Sequence, residues 1–272
     1  MSKVFIIDLN YCNGCYSCQY ACKDEHVGNE WLPFALAQPN TGQFWMRVDE
    51  KEHGSKPRVR VEYTPIHCMH CDNAPCIKAA PDAVYKREDG LVIIDPEKAK
   101  GNKELVKACP YGAIYWNEEK NVAQKCTGCA HLVDKGELPH CVDVCGQNAL
   151  RFGEEQDFTK EISRAEVLRP ECNSSPRVYY LNRPHLFING EVWNPVDDEI
   201  IEGAEVILLC DDGTKRVTST DDFGEFWFER LSSGKYSVKI AAKGFASASK
   251  TGIDLLDRGI NLGDFPLDKK DC

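Results

Sequence analysis

Cys12-Asn13-Gly14-Cys15-Tyr16-Ser17-Cys18-Gln19-Tyr20-Ala21-Cys22 sets four thiols at spacings of two, two and three residues. Three thiolates two residues apart can wrap one cubane in a tight loop. Three further residues turn the chain into a helix and aim the fourth thiolate away, which is the ligand run of a bacterial-type [4Fe-4S] site. Zinc sites come as two separated cysteine pairs, so an unbroken run argues against zinc.

Three further runs lie downstream. Cys68-x2-Cys71-x4-Cys76 is followed by Ala80-Pro81, with alanine where a fourth cysteine is expected. Cys109-Pro110 closes a run whose other positions, counted back by the same spacing, are Leu105, Asn102 and Ala99. The last run is Cys126-x2-Cys129-x11-Cys141-x3-Cys145. In ferredoxin-type repeats each run gives three ligands to one cluster and one to its neighbour. Consecutive pairing of the runs leaves Cys145 without a cluster and asks Ala80 to be a ligand. Nested pairing, the first run with the last, closes without remainder. Cluster A takes Cys12, Cys15, Cys18 and Cys145. Cluster B takes Cys126, Cys129, Cys141 and Cys22. Cluster C takes Cys68, Cys71, Cys76 and Cys109. A fourth cluster would fall on Ala80, Ala99, Asn102 and Leu105, none of which is a thiol. A missing cubane leaves a hole that close-packed interiors do not tolerate, so Leu105 is expected to be buried as filler. Asp95-Pro96 reads as a helix start in the same loop.

Composition agrees with this chemistry. Of fifteen cysteines in 272 residues, twelve lie between Cys12 and Cys145, a density that in a reducing compartment means metal rather than disulfides. A net charge of −10 excludes nucleic acid as a partner. No apolar run reaches the ~20 residues of a membrane helix, and the N-terminus lacks a signal pattern, so a cytoplasmic protein without membrane insertion is expected. His67, His70, His131 and His140 sit beside ligands. The thiolate sets are already full, so the histidines are expected around the clusters or at the surface and not as Rieske-type ligands. Cys172, Cys210 and Cys272 have no partners in sequence, and Cys210 is expected in a core.

The first run, His67-Cys68-Met69-His70-Cys71-Asp72-Asn73-Ala74-Pro75-Cys76 and Lys125-Cys126-Thr127-Gly128-Cys129 resemble the iron–sulfur subunits of the dimethyl sulfoxide reductase family. The resemblance covers roughly residues 1–160. It implies a subunit with no active site of its own that docks on a large molybdopterin catalytic subunit as a heterodimer and passes electrons. It also implies the nested pairing. The sequence departs at Ala80, Ala99, Asn102 and Leu105, where the family has a fourth cluster, and at Lys23 and Gly146, where proline often follows the fourth cysteine. Three clusters and an extra tail are similar to the transhydroxylase branch of the family. An insert at about 25–65, with Trp31, Phe34, Phe44 and Trp45, either faces the partner or shields the clusters. A respiratory reductase or dehydrogenase subunit and a zinc-stabilised scaffold are the alternatives.

From Pro184 the pattern changes to short alternating runs: 186–193, 204–210, 215–219, 224–229, 236–241 and 245–250, with turn signals such as Asp211-Asp212-Gly213 between them. This spacing predicts a sandwich, and Thr220-Asp221-Asp222-Phe223-Gly224 resembles the transthyretin-like or carboxypeptidase-regulatory type. The expected fold is therefore an α+β ferredoxin-type polycluster domain over 1–160, a linker over 161–184, and an all-β transthyretin-like or immunoglobulin-like sandwich over 185–272.

Overall fold

Val4, Phe5, Ile6 and Ile7 form a continuous apolar run that is buried throughout, as a strand covered on both faces must be. A computed structural model describes residues 2–55 and 58–270, which fall into two units. The first comprises the chain to Glu50 and Tyr63–Arg183. Its elements are β1 (Lys3–Asp8), α1 (Ser17–His26), β2 (Arg47–Ser55), β3 (Arg58–Ile66), α2 (Pro75–Ala79), β4 (Val84–Lys86), β5 (Val92–Ile94), α3 (Leu105–Ala108), β6 (Tyr115–Asn117), β7 (Val122–Gln124), α4 (Ala130–Val133), α5 (His140–Asp143), β8 (Leu150–Glu154), α6 (Thr159–Ile162) and β9 (Val178–Leu181). The part of β2 from Lys51 and the part of β3 up to Glu62 group with the second unit.

In the first unit β1 is the middle strand, antiparallel to β8 and parallel to β9. Two small hairpins, β4–β5 and β6–β7, carry the loops that follow the middle cysteine runs. The segment 161–184, read from sequence as a linker, contains β9, and the first unit runs through it to Arg183. Its Ser174–Arg177 stretch pairs backbone to backbone with the Cys68 loop: Asp72 N–H donates to Ser175 O, Asn73 N–H to Ser174 O and Arg177 N–H to Met69 O. The buried Arg177 guanidinium fixes that junction through Asp72 (3.0 Å) and Glu155 (2.7 Å).

The loop of the absent cysteines is filled. Leu105 is 1% exposed and Ala99 fully buried, and Ala80 is buried with them. The burial expected of Leu105 holds. Asp95 does not start a helix. Its carboxylate accepts the N–H groups of Glu97 and Lys98, and Ala99 N–H closes a single turn on Asp95 O.

The second unit contains Lys51–Glu62 and the chain from Pro184. It has β10 (Leu186–Asn194), β11 (Glu199–Ile200), β12 (Glu205–Cys210), β13 (Lys215–Ser219), β14 (Glu225–Leu231), β15 (Gly234–Ala241), β16 (Ala248–Leu255) and β17 (Ile260–Pro266). One sheet centres on β10, with β11, β14 and β17 as partners; the other has the order β13-β12-β15-β16. Alternation sets the core. Tyr236, Val238 and Ile240 of β15 face Val206 and Leu208 of β12, with Ile188, Val192, Phe226 and Phe228 in the same cluster. The short β11 was not expected from sequence, and two further departures occur here. The strand expected at 245–250 runs from 248 to 255, and β17 was not expected, because Gly263 and Asp264 interrupt its apolar pattern. Cys210 is half-buried against the core, and Cys272 lies outside the described residues.

Candidate metal centres

The cysteine loops share one backbone design. In Cys12–Cys15 and Cys126–Cys129 the third residue is glycine at positive φ, +70° at Gly14 and +67° at Gly128. A Cβ at Gly14 would lie 2.4 Å from the Tyr63 ring, and one at Gly128 2.6 Å from Leu91. Glycine is needed at both on two counts. The turn aims the third N–H back at the first sulfur. Gly128 N–H donates to Cys126 Sγ at 3.3 Å, Gly14 N–H does the same for Cys12, and His70 N–H reaches Cys68 Sγ at 3.5 Å. Three loops therefore present a thiol with a donor already in place.

Thiols from different runs lie beside one another, and burial together with these neighbours raises the proton affinity of several of them. Burial pushes Cys18 up to about 12, and Cys12, Cys145 and Cys15 add to it. These four line one pocket with Gly14, Tyr16 and Val48. Burial lifts Cys22 and Cys141 far above the ordinary thiol range, with Cys126 and Cys129 as neighbours of both. Burial also takes Cys71 to about 12, and Cys68, Cys109 and Cys76 press on it. Cys15 is the exception. It is exposed, and donors from Ser17 pull it below the ordinary value.

Such groups fit iron. Four thiolates packed together away from water repel one another and are unfavourable unless a cationic core neutralises them. The N–H donors to Cys12, Cys68 and Cys126 suit sulfur that bears charge. Ala80, Ala99, Asn102 and Leu105 offer no such group: three are buried carbon side chains, and Asn102 N–H is spent on Ala99 O.

Other side chains close around these groups. His70, His67 and Cys126 bring their donor atoms within 4.8 Å of one another. His70 Nδ1 accepts the Val92 N–H at 2.9 Å, so Nε2 carries the proton and faces Cys126 Sγ at 3.8 Å. It is a donor to sulfur and not a competing ligand. His131 and His140 both meet the Glu25 carboxylate, at 2.8 and 3.0 Å. The sequence reading had singled out neither His26 nor Ser174. His26 sits 3.9 Å from Cys129 Sγ, its ring tilted against Trp45 at 4.6 Å, and burial holds it neutral with a pKa of about 3. Ser174 is buried, shares a 2.7 Å hydrogen bond with Tyr111 and holds the Cys71 thiol down. The only sequence signal for His26 was its place one helical turn after Cys22. Ser174 left none, because a lone serine in a proline-rich stretch reads as loop.

Lys23 explains its own departure. Its buried ammonium donates to Pro39 O (2.5 Å), Gln43 O (2.9 Å) and Gln38 Oε1 (3.3 Å), and so ties the insert to the helix that carries Cys22. Trp45 is 1% exposed and Trp31 stacks on His131 at 4.0 Å. Trp45 therefore lies inside, beside His26, whereas Trp31 is only partly buried against His131.

Comparison with known proteins gives the family. The 4Fe-4S dicluster domain matches residues 59–155, and the carboxypeptidase regulatory-like domain matches 188–267. The pyrogallol hydroxytransferase small subunit of Pelobacter acidigallici is 42% identical over 271 residues, covering 95% of this chain and 96% of that one. This protein belongs to the iron–sulfur subunit family of the dimethyl sulfoxide reductase type. Within that family, a tetrathionate reductase subunit of Salmonella typhimurium is 35% identical, covering 67% of this chain and 73% of its own. An anaerobic dimethyl sulfoxide reductase component of Escherichia coli is 34% identical, covering 63% and 90%. Membership makes the chain an iron–sulfur electron-transfer subunit with a cluster domain followed by a β-sandwich. Among the described residues no helix is long and apolar enough to cross a membrane.

Proposed function

We propose that the chain is the small subunit of a molybdenum transhydroxylase of the pyrogallol hydroxytransferase kind, carrying three [4Fe-4S] clusters and no active site of its own. One observation supports this reading: cysteines of distant runs lie beside one another, Cys145 with Cys18, Cys141 with Cys22 and Cys109 with Cys71, while three of the four positions of a fourth group are buried carbon side chains. Clusters A, B and C are then held as the nested pairing assigns them. When bound, such clusters supply one-electron transfer at potentials set by burial and hydrogen bonds.

The thiols order themselves as a line. Cys18 neighbours Cys22 and Cys141, and Cys68 neighbours Cys126, so the Cys126 group lies between the other two. All four cysteines of that middle group are buried, whereas Cys15 of the Cys12 group is exposed. The arrangement suits entry or exit of electrons at Cys15 and passage inward.

The large partner bears the molybdopterin and the substrate chemistry. Full-length similarity to the Pelobacter subunit, sandwich included, favours this over a respiratory reductase, whose small subunits match only 63–67% of the chain. Moving a hydroxyl between aromatic rings needs no net electrons, so the clusters serve to set or restore the oxidation state of the metal.

Metal analysis of the purified complex tests the reading. About 12 irons per small subunit is expected. About 16 irons would overturn the loss of the fourth site, and zinc with little iron would overturn the whole reading. A molybdopterin-bearing large subunit is expected to co-purify with the chain.

A further inference from the structure

Lys125, His67 and His70 are buried side by side where the Cys68 and Cys126 groups approach each other. Lys125 Nζ donates to Cys126 O at 3.0 Å and to Val92 O. Among the described residues none of its bonds is to a carboxylate. A buried ammonium without a carboxylate is unfavourable unless anionic groups lie near it. Here they do: its charge acts on Cys76 and Cys109 of one group and on Cys126 of the other. His70 Nδ1 accepts the Val92 N–H and so leaves one ring proton on Nε2; Lys86 also reaches this loop, at His70 O and Cys71 O, but it is paired with Asp72, whereas Lys125 is a buried cation bonded to carbonyls.

His70 supplies the second observation. It occupies the third position of its cysteine loop, where the other two loops have glycine, and takes the same left-handed backbone at φ +44°. Histidine is among the side chains that adopt this backbone, and here it adds a ring where the other loops have none. Val92 N–H fixes the tautomer, and Nε2–H faces Cys126 Sγ from the loop that carries Cys68 and Cys71.

We propose that Lys125 and His70 are positioning residues that hold up the reduction potentials of the two centres they separate, Lys125 as a fixed countercation shared by both and His70 as a hydrogen-bond donor to the Cys126 centre. An added electron makes either centre more anionic, which a nearby cation favours, and a donor to thiolate sulfur acts in the same direction. The Cys12 centre has neither residue beside it. This inference rests on the three-centre reading above.

The test is a redox titration of the holo-complex followed by electron paramagnetic resonance, after iron analysis. In K125M the potentials of the Cys68 and Cys126 centres are expected to fall by at least a factor of ten in the reduction equilibrium, 59 mV for one electron. The Cys12 centre should stay in place and K125R should restore most of the shift. H70N keeps a residue that tolerates the left-handed backbone but withdraws the donor, and should lower the Cys126 centre alone. Full iron content with unmoved potentials in K125M, or an equal shift of all three centres, would overturn the proposal. If K125M loses iron, H70N decides, and an unmoved Cys126 centre overturns the role of His70 as donor and with it the proposal. Fewer than about 12 irons in the unaltered complex would instead refute the three-centre reading itself.

Discussion

Cys109 comes from an otherwise eroded run and meets Cys68, Cys71 and Cys76 from another. Replacing it with serine should remove the signal of that centre and leave the other two, as read by electron paramagnetic resonance; loss of the Cys126 signal instead would reverse the nesting. Ser174→Ala removes a donor from Cys71 and should lower the potential of the same centre without loss of iron. Proton linkage gives a further prediction. Cys18, Cys71, Cys76 and Cys129 are held up to about 11–12 by burial, so iron binding displaces protons and acid opposes it. Chelator-driven bleaching should speed up between about pH 8 and about pH 6. The metal-free chain has the opposite sign. Thiols with raised folded values favour the fold below the ordinary thiol value of 9.0 and lose that contribution as pH rises through about 11–12, so its denaturant midpoint should fall in alkali.

At the scale of elements, the loop of α3 shows what replaces a ligand set. Leu105 is buried against a wholly buried Ala99. Leu105→Ala should destabilise the fold by about 3 kcal/mol, the ordinary cost of a cavity of that size, measured by denaturant unfolding of the loaded chain. Much of this scale was legible beforehand. Cysteine spacing located the ligand loops because three thiolates around one core require short fixed intervals, and alternation found most sandwich strands because period two needs no long-range information. The rest was not legible for physical reasons. Strand β9 is four residues in a segment rich in proline, stabilised by pairing with β1 from the far end of the chain. The expected Asp95 helix stops after one turn, although its cap forms. Lys23 looked like a departure from pattern, and its three carbonyl-type acceptors lie 15 to 20 residues away.

At the scale of the molecule, the first unit ends at Arg183 and not where the cysteines end. A chain stopped at residue 160 lacks β9, Ser174 and the Arg177 ion pairs, and should be recovered unfolded or with the Cys68 centre empty, whereas one stopped at 183 should hold its iron; absorbance and iron content distinguish the two. The placement of β1 between β8 and β9 has another consequence, in time. β1 leaves the ribosome well before its partners and must wait for residues 150–154 and 178–181. At roughly 5–20 residues per second that wait is on the order of 10–40 s. The thiols of residues 12–22 are made before that interval, and during it they have no sheet to shelter them. Iron delivery therefore follows the synthesis of β9, and those thiols must stay reduced until then.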